Sequence, residues 1–192
     1  MRVAIINNSD EPPKNIVSLL EGHHSVVFDY SEANRILQGS FDVIILSGSS
    51  QFPIIYNREK LSDEITLIQK THTPLIGICY GCELIAIAFG GSLKDRGEYS
   101  RERVPFPIKV IHNDPIFLGK TDFMAYDAHR WVIDKTPNTL EILAKSVHGP
   151  EVIRHRERPL YGFQFHPEKL QDQTFGDEIF HALLQQYAKR SS

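Results

Sequence analysis

The chain of 192 residues has a formal net charge of −3, with 41% hydrophobic and 23% charged residues. These values are those of an ordinary globular protein and exclude the highly charged, weakly hydrophobic composition of disordered chains. The small net charge favours neither nucleic acid nor an anionic membrane surface as a partner, and the length predicts a single domain over residues 1–192.

The N-terminal segment MRVAIINNSD turns polar after about five apolar residues, and no apolar run reaches the roughly 18 residues of a membrane span. The two cysteines, Cys79 and Cys82, lie too close together to staple a secreted scaffold. We therefore expect a cytoplasmic protein that has no membrane contact.

In the first half of the chain, short β-branched runs alternate with stretches of helical spacing. This βαβα order predicts a parallel sheet flanked by helices. The third and fourth strands are apolar on consecutive residues, as is typical of strands covered on both faces, so we expect them at the centre of the sheet. The predicted strands are Arg2–Ile6, Ser25–Asp29, Asp42–Leu46 and Pro74–Ile78, and the predicted helices lie near residues 13–21, 32–38, 59–71 and 81–89.

Beyond Gly90-Gly91 the pattern changes to closely spaced extended runs with few helical gaps. They are VPFPIKVI, DFMAYDAH, LEILAKSV, EVIRHR and YGFQFH, and they predict mostly antiparallel strands attached to the parallel core. A final amphipathic helix over Phe175–Lys189 is predicted to cover the sheet. The expected fold is therefore α/β, with an antiparallel extension in the C-terminal half.

A G-x-C-x-G pattern lies between the fourth predicted strand and the fourth predicted helix. In Gly77-Ile78-Cys79-Tyr80-Gly81, the cysteine takes the place of the nucleophile in a sharp strand-to-helix turn. Such a turn projects its nucleophile above the carboxyl edge of the sheet, and the amides that begin the helix stabilise a thiolate or an oxyanion. Cys79 is therefore a candidate nucleophile for acyl transfer.

The run YGFQFH leads into His166-Pro167-Glu168, which supplies a candidate base and a group to orient it. In an extended segment, residues two apart lie on one face, so we expect His166 and Glu168 to project together toward the thiol. His166 would take the Cys79 proton and deliver it to the leaving amine, while Glu168 would hold the imidazole. Each motif alone is weak, but the two together favour catalysis.

The spacing of Cys79 and Cys82 also fits a redox C-x-x-C pair at a helix N-terminus. That alternative leaves the flanking glycines and the His-Pro-Glu segment unexplained. A zinc site needs two more ligands, and the histidines show no ligand spacing with either cysteine, so no metal is expected. We interpret Cys82 as a packed side chain.

The order of these landmarks resembles the class I, or triad, glutamine amidotransferases, and among them the free-standing glutaminase subunits of GMP synthetases. The resemblance extends over nearly the whole chain, through PLIGICYG, an apolar helix ending in FGG, a GEYS segment and finally PLYGFQFHPE. It implies a flavodoxin-like fold and hydrolysis of glutamine through a γ-glutamyl thioester on Cys79, without a cofactor. Because the chain has no Gly-rich loop for ATP, ammonia is expected to pass to a separate ATP-dependent synthetase subunit.

The resemblance also implies an oxyanion hole. The family's loop after the third strand usually reads Ser-Gly-Gly-Pro, whereas this chain reads Ser47-Gly48-Ser49-Ser50. The backbone amides of Ser49 and Tyr80 are the implied donors, and Gly48 is expected to border the substrate.

Three further residues are candidates for substrate binding through the same resemblance. Glu83 occupies the place of a glutamine that contacts substrate, and its carboxylate could meet the α-ammonium group of glutamine. Arg130 and Trp131 lie in a segment that resembles the loop holding the α-carboxylate. For Trp131, packing in the core is an equal alternative.

The departures at Ser49 and Glu83 leave three functions open. The first is a glutaminase subunit that feeds a partner synthetase, for GMP; the second is a stand-alone hydrolase of γ-glutamyl amides or peptides. The third is a non-catalytic regulatory relative, against which the intact set of Cys, His and Glu argues. The apolar segment QFPIIYNREK, residues 51–60, is a candidate docking rim, with packing over the sheet as its alternative.

Overall fold

The computed structural model describes residues 1–97 and 103–190. Strands and helices alternate through the first half and strands dominate the second. The elements are β1 (Arg2–Asn7), α1 (Lys14–Leu19), β2 (His24–Asp29), α2 (Ala33–Ile36), β3 (Val43–Leu46), α3 (Ser62–Lys70), β4 (Leu75–Ile78), α4 (Tyr80–Ala88), β5 (Ser92–Asp95), β6 (Val104–Val110), β7 (Asp122–Asp127), β8 (Trp131–Lys135), β9 (Leu140–Ser146), β10 (Gly149–His155), β11 (Leu160–Phe163) and α5 (Gly176–Arg190).

Within the described residues, nine strands form one sheet in the order β2-β1-β3-β4-β11-β10-β9-β6-β7. The five strands from β2 to β11 pair in parallel, and the remaining four continue the sheet through antiparallel pairs. The predicted parallel core with an antiparallel extension is confirmed, as is the central position of β3 and β4. The prediction for the last strand was incomplete, because β11 pairs antiparallel with β10 but parallel with β4.

Alternate residues of the central strands pack into two separate cores, one on each face of the sheet. In β1, Val3 and Ile5 join the core that also contains α1 and α5, whereas Ala4 and Ile6 join the core that contains α2, α3 and α4. All four of these β1 side chains have 0% exposure. Both faces of these strands are therefore covered, which explains why their sequences are apolar on consecutive residues.

Several elements differ from the predictions at their ends or in their pairing. The second helix, Ala33–Ile36, is shorter than the predicted 32–38, because Glu32 belongs to a 3₁₀ turn that Asp29 caps and the helix ends at Ile36. Strands β5 and β8 form a small separate antiparallel sheet, which the sequence pattern did not predict. Of the GEYS landmark, residues 98–100 lie outside the described residues. None of the helices in residues 1–97 and 103–190 has the length and apolar character needed to cross a membrane.

Candidate active site

A cleft of about 610 Å³ opens at the carboxyl ends of the parallel strands, which is where open α/β sheets bind their ligands. The loops that follow β1, β3, β4 and β11 all reach it. Its lining includes Asn7, Ser9, Glu11, Lys14, Ser47, Gly48, Ser49, Ser50, Cys79, Arg103, Tyr126, Ala128, His129, His166, Glu168 and Lys169.

Cys79 occupies a strained turn between the end of β4 and the start of α4. Its φ of 49° and ψ of −101° lie in a region that side chains rarely adopt, and its backbone N–H donates to the Phe163 carbonyl at 2.7 Å. The flanking glycines allow this turn by close backbone approach. A Cβ atom on Gly77 would lie 2.5 Å from the carbonyl carbon of Gly81, and one on Gly81 would lie 2.5 Å from the Leu46 oxygen.

The Cys79 side chain is nearly buried, with 6% of the residue exposed at the wall of the cleft. Burial raises the pKa of the Cys79 thiol, whereas the charge of His166 and a hydrogen bond with it act in the opposite direction. His166 is thus the group positioned to take the Cys79 proton when an electrophile is bound.

His166 and Glu168 are joined by a hydrogen bond of 2.7 Å between the imidazole Nδ1 and the carboxylate Oε1. Burial lowers the pKa of His166, but the charges of Glu168 and Cys79 and hydrogen bonds to both raise it well above its usual value. Burial likewise raises the pKa of Glu168, and the charge of His166 outweighs it so that the net shift is downward. The arrangement therefore stabilises an imidazolium beside an ionised carboxylate.

The backbone that brings these two side chains together differs from the prediction. Strand β11 ends at Phe163, and the segment from His166 to Lys169 is a turn in which the Lys169 N–H donates to the His166 carbonyl at 3.3 Å. Pro167 occupies the second position of that turn, which its fixed φ favours. The two side chains were predicted to meet through the alternation of an extended strand, and this reasoning was wrong because the turn makes the contact.

Gly48 borders both the thiol and the imidazole. A Cβ atom on Gly48 would lie 3.0 Å from His166 Cε1 and 3.7 Å from Cys79 Cβ, so the lack of a side chain keeps this part of the cleft open. The backbone N–H groups of Ser49 and Tyr80 meet no hydrogen-bond acceptor within residues 1–97 and 103–190. The role of these two amides as donors to an oxyanion stays a prediction.

Three residues expected at the substrate lie away from the cleft lining. Glu83 is buried and accepts a hydrogen bond of 3.0 Å from the Gln164 side chain. Arg130 makes a two-pronged ion pair with Asp95, with Nε–Oδ1 and Nη2–Oδ2 distances of 2.7 and 2.5 Å. Trp131 begins β8, beneath the Arg130 guanidinium. None of the three lines the cleft: Glu83 is held by its buried partner, although its charge still acts on the Cys79 thiol, and Arg130 pairs with Asp95 of β5.

The residues that precede Arg130 in the same loop line the cleft, whereas Arg130 itself does not. Ala128 and His129 line it, and His129 Nε2 lies 3.2 Å from Asp127 Oδ1 and 3.8 Å from Glu151 Oε1. Burial lowers the pKa of His129, but a hydrogen bond and the charge from Glu151, together with the charge of Asp127, raise it overall. A buried cluster of a histidine and two carboxyl groups thus supports this part of the cleft wall.

Sequence reasoning also missed the connection from the end of β1 to the start of α1, which supplies Asn7, Ser9, Glu11 and Lys14 to the lining. A signal for it was present, since any loop that follows a central parallel strand reaches the ligand-binding edge of the sheet. Tyr126 gave no such signal. It lines the cleft because its carbonyl accepts from the His166 N–H at 3.0 Å, a contact between segments far apart in sequence.

Cys82 is a packed side chain, and both cysteines are free thiols. Its residue exposure is 0%, and a Cβ atom on Gly162 would lie 2.7 Å from its sulfur. Burial raises the pKa of Cys82 well above its usual value. These contacts oppose the redox alternative, since the thiol is inaccessible. In the part of the chain that the structure describes, no group of three or more His, Cys, Asp or Glu is arranged to hold a metal ion.

Residues 51–60 do not line the cleft. Phe52 packs edge-on against Tyr30 and Tyr80, and Ile54 is buried, whereas Tyr56 is mostly exposed. Most of the apolar surface in this segment is therefore used in packing over the sheet, the alternative to a docking rim.

The chain matches one family model over residues 4–185, described as glutamine amidotransferase class-I. The A subunit of a glutamine-hydrolyzing GMP synthase from Methanococcus maripaludis strain C6 is 32% identical over 183 residues, which cover 92% of each chain. The A subunit of the same name from Methanothermobacter thermautotrophicus is 28% identical over 171 residues, covering 86% of this chain and 88% of that protein.

Solved structures show the same architecture. A crystal structure of a protein assigned as the A subunit of a GMP synthase, from Thermoplasma acidophilum, has a TM-score of 0.86 at 25% identity, covering 100% of this chain and 96% of that one. A glutamine amidotransferase from Thermotoga maritima has a TM-score of 0.78 at 16% identity over 97% of each chain, which supports the fold alone.

Proposed function

Because the chain belongs to the class I glutamine amidotransferase family, we propose that it is the glutaminase component of a two-protein GMP synthetase. It hydrolyses the side-chain amide of glutamine and supplies ammonia to a separate ATP-dependent synthetase. The observation that carries the proposal is the strained turn that holds the Cys79 thiol at the cleft beside His166, which Glu168 orients. The relatives named as GMP synthase A subunits support the choice of partner.

The first half of the reaction acylates the enzyme. His166 takes the Cys79 proton as the sulfur attacks the amide carbon of the glutamine side chain, and a tetrahedral oxyanion forms. The Ser49 and Tyr80 backbone amides donate hydrogen bonds to that oxyanion. The C–N bond then breaks, His166 delivers its proton to the nitrogen, and ammonia leaves a γ-glutamyl thioester on Cys79.

The second half regenerates the thiol. A water molecule attacks the thioester carbonyl while His166 accepts one of its protons, and the C–S bond breaks to release glutamate. The same proton returns to the sulfur. Glu168 stabilises the imidazolium twice in the cycle, since it keeps its charge while His166 gains one.

The placement of the side chains changes the proposed substrate contacts. Gly48 stays at the substrate, because it borders both the thiol and the imidazole. The α-carboxylate is assigned to the loop residues that line the cleft, Ala128 and His129, rather than to Arg130 and Trp131.

The experiment that tests this function compares ammonia release from glutamine and from a panel of γ-glutamyl amides, with and without the synthetase from the same organism and its nucleotide substrate. We expect the isolated protein to hydrolyse glutamine slowly, and the complete mixture to hydrolyse it faster. If glutamine is inert in every mixture while a γ-glutamyl amine is cleaved, the chain is a stand-alone γ-glutamyl hydrolase. If no substrate is cleaved in any mixture, it is a non-catalytic relative.

A further inference from the structure

A buried carboxyl group lies behind the cleft, where the proposed reaction does not use it. Glu64, in the first turn of α3, has 0% exposure. Its Oε1 accepts a hydrogen bond of 3.0 Å from the side chain of Asn8, the residue that follows β1. Burying a carboxyl group in an apolar core costs folding free energy unless the group is hydrogen bonded or paired.

The contact continues from Asn8 to the loop that follows β3. The Asn8 backbone N–H donates to Ser47 Oγ at 2.9 Å, and Ser47 Oγ donates to the Gly48 carbonyl at 3.0 Å. Asn8 and Ser47 are each only 2% exposed, so the bond between them is shielded from water, whereas the bond to Gly48 lies at the wall of the cleft. A continuous path of hydrogen bonds and backbone therefore runs from the buried Glu64 to Gly48 at the cleft.

The last bond in this path sets the direction of a proposed oxyanion donor. The Gly48 carbonyl and the Ser49 N–H belong to the same planar peptide, and in a trans peptide they point in opposite directions. When Ser47 Oγ holds the carbonyl on its side, the N–H of Ser49 must point to the other side. The orientation of this peptide matters because an oxyanion donor loses most of its effect when it is misaligned.

We propose that Glu64, Asn8 and Ser47 form a buried relay that orients the Gly48–Ser49 peptide, and that Glu64 is a positioning residue for amide hydrolysis. This inference rests on the proposed function only in assigning the Ser49 N–H to the oxyanion. The relay itself is a property of the fold, and it can be measured without substrate.

The relay depends on the charge of Glu64. Burial raises the pKa of Glu64 to about 8, the hydrogen bond from Asn8 lowers it and the charge of Asp29 raises it. An ionised Glu64 would be a buried charge facing Asn8 with no cation to neutralise it in that contact, which favours local opening and hydration. Openings that hydrate Glu64 break the bond from Asn8 and release the peptide. Because the carboxyl ionises near its usual pKa once it is hydrated, such openings become more frequent as the pH rises toward about 8 and then level off.

The other titratable groups around α3 do not offset that charge. Asp29, which precedes the 3₁₀ turn packed on α3, adds a like charge. From α4, the Tyr80 hydroxyl has its pKa raised by burial and by the charges of Glu64 and Glu83. The cation on α2, Arg35, is exposed and pairs with Glu32.

The test uses the full chain in four forms: wild type, Glu64→Gln, Glu64→Leu and the control Asp63→Asn, a neighbouring acid of the same helix. The first readout is NMR hydrogen exchange of the Asn8 and Ser47 amides, which are hydrogen bonded to Ser47 Oγ and to the Ile6 carbonyl. After correction for the intrinsic base dependence of exchange, we expect wild-type protection to fall by about tenfold for each pH unit between pH 6 and about pH 8 and to level off above that pH. Protection in Glu64→Gln should stay constant, and Asp63→Asn should follow the wild type.

The second readout is glutaminase kinetics in the presence of the synthetase. We expect Glu64→Leu to lower kcat by about tenfold or more with little change in KM, because an oxyanion donor acts in the transition state. Glu64→Gln should keep the wild-type kcat at pH 7, since the amide oxygen of glutamine can still accept the hydrogen bond from Asn8.

Two results would overturn the relay. One is equal pH dependence of exchange at Asn8 and Ser47 in wild type and Glu64→Gln; the other is an unchanged kcat in a folded Glu64→Leu. If Glu64→Leu fails to fold, Glu64→Gln still decides the question through its exchange profile. Absence of all glutamine hydrolysis would refute the proposed function instead, and the exchange measurement would continue to report on the relay.

Discussion

Replacing Glu64 by glutamine should make the protein more stable at neutral and alkaline pH. The wild-type carboxyl has a pKa raised from 4.5 to about 8 because it is fully buried. An unfolded chain releases this proton near pH 4.5, so folding takes a proton up between these two values. The stabilisation is fully present below pH 4.5 and is lost as the pH rises to about 8. At about 1.4 kcal/mol for each pH unit, the loss reaches about 5 kcal/mol.

Urea unfolding of wild type, Glu64→Gln and Asp63→Asn, followed by circular dichroism between pH 4.5 and pH 8.5, measures this difference. The free energy of unfolding of Glu64→Gln, relative to wild type, should rise with pH up to about 8 and then level off. Asp63→Asn should show no such trend, since it lies in the same helix turn but its carboxyl is not in the core. Parallel curves for wild type and Glu64→Gln, to within about 0.5 kcal/mol, would refute the reasoning that Glu64 folds in its neutral form.

Three further substitutions test the geometry of the cleft. Glu168→Gln should lower kcat by about 10²-fold or more, measured from the pH–rate profile. It should also lower the pKa of His166, because the Glu168 charge raises that pKa, and NMR titration of the imidazole measures the change. Gly77→Ala should cost about 1–3 kcal/mol or more of unfolding free energy in urea titrations, since the added Cβ would lie 2.5 Å from the Gly81 backbone. Arg130→Met should leave kcat and KM for glutamine within about threefold, because the side chain is engaged outside the cleft; a larger loss would return it to the substrate.

Local patterns predicted the centre of the fold well. The consecutive apolar residues of β3 and β4 indicated burial on both faces, and each strand does contribute side chains to both cores. The glycines around Cys79 indicated a close strand-to-helix approach, which the contact between Gly77 and Gly81 bears out. In these cases the residues that determine the structure are neighbours in sequence.

Contacts between segments far apart in the chain could not be predicted from local sequence patterns. The parallel pairing of β11 with β4 depends on a strand that arrives more than eighty residues later. Asp95 pairs with Arg130, and the hydrogen bonds from Arg130 hold the pKa of Asp95 at about 2, but nothing in either local sequence indicates the other as its partner. Glu64 resembles an ordinary acidic residue in the first turn of a helix, and only the fold shows that it is buried against Asn8.

The most direct test of the central claim is whether the sulfur of Cys79 becomes acylated during turnover. Wild-type enzyme mixed with glutamine and quenched in acid should yield a peptide in which Cys79 carries a γ-glutamyl group by mass spectrometry. His166→Ala should slow the formation of this adduct, and Cys79→Ala should neither form it nor release ammonia. Ammonia release by Cys79→Ala at the wild-type rate, or a γ-glutamyl group found on another side chain, would contradict the account.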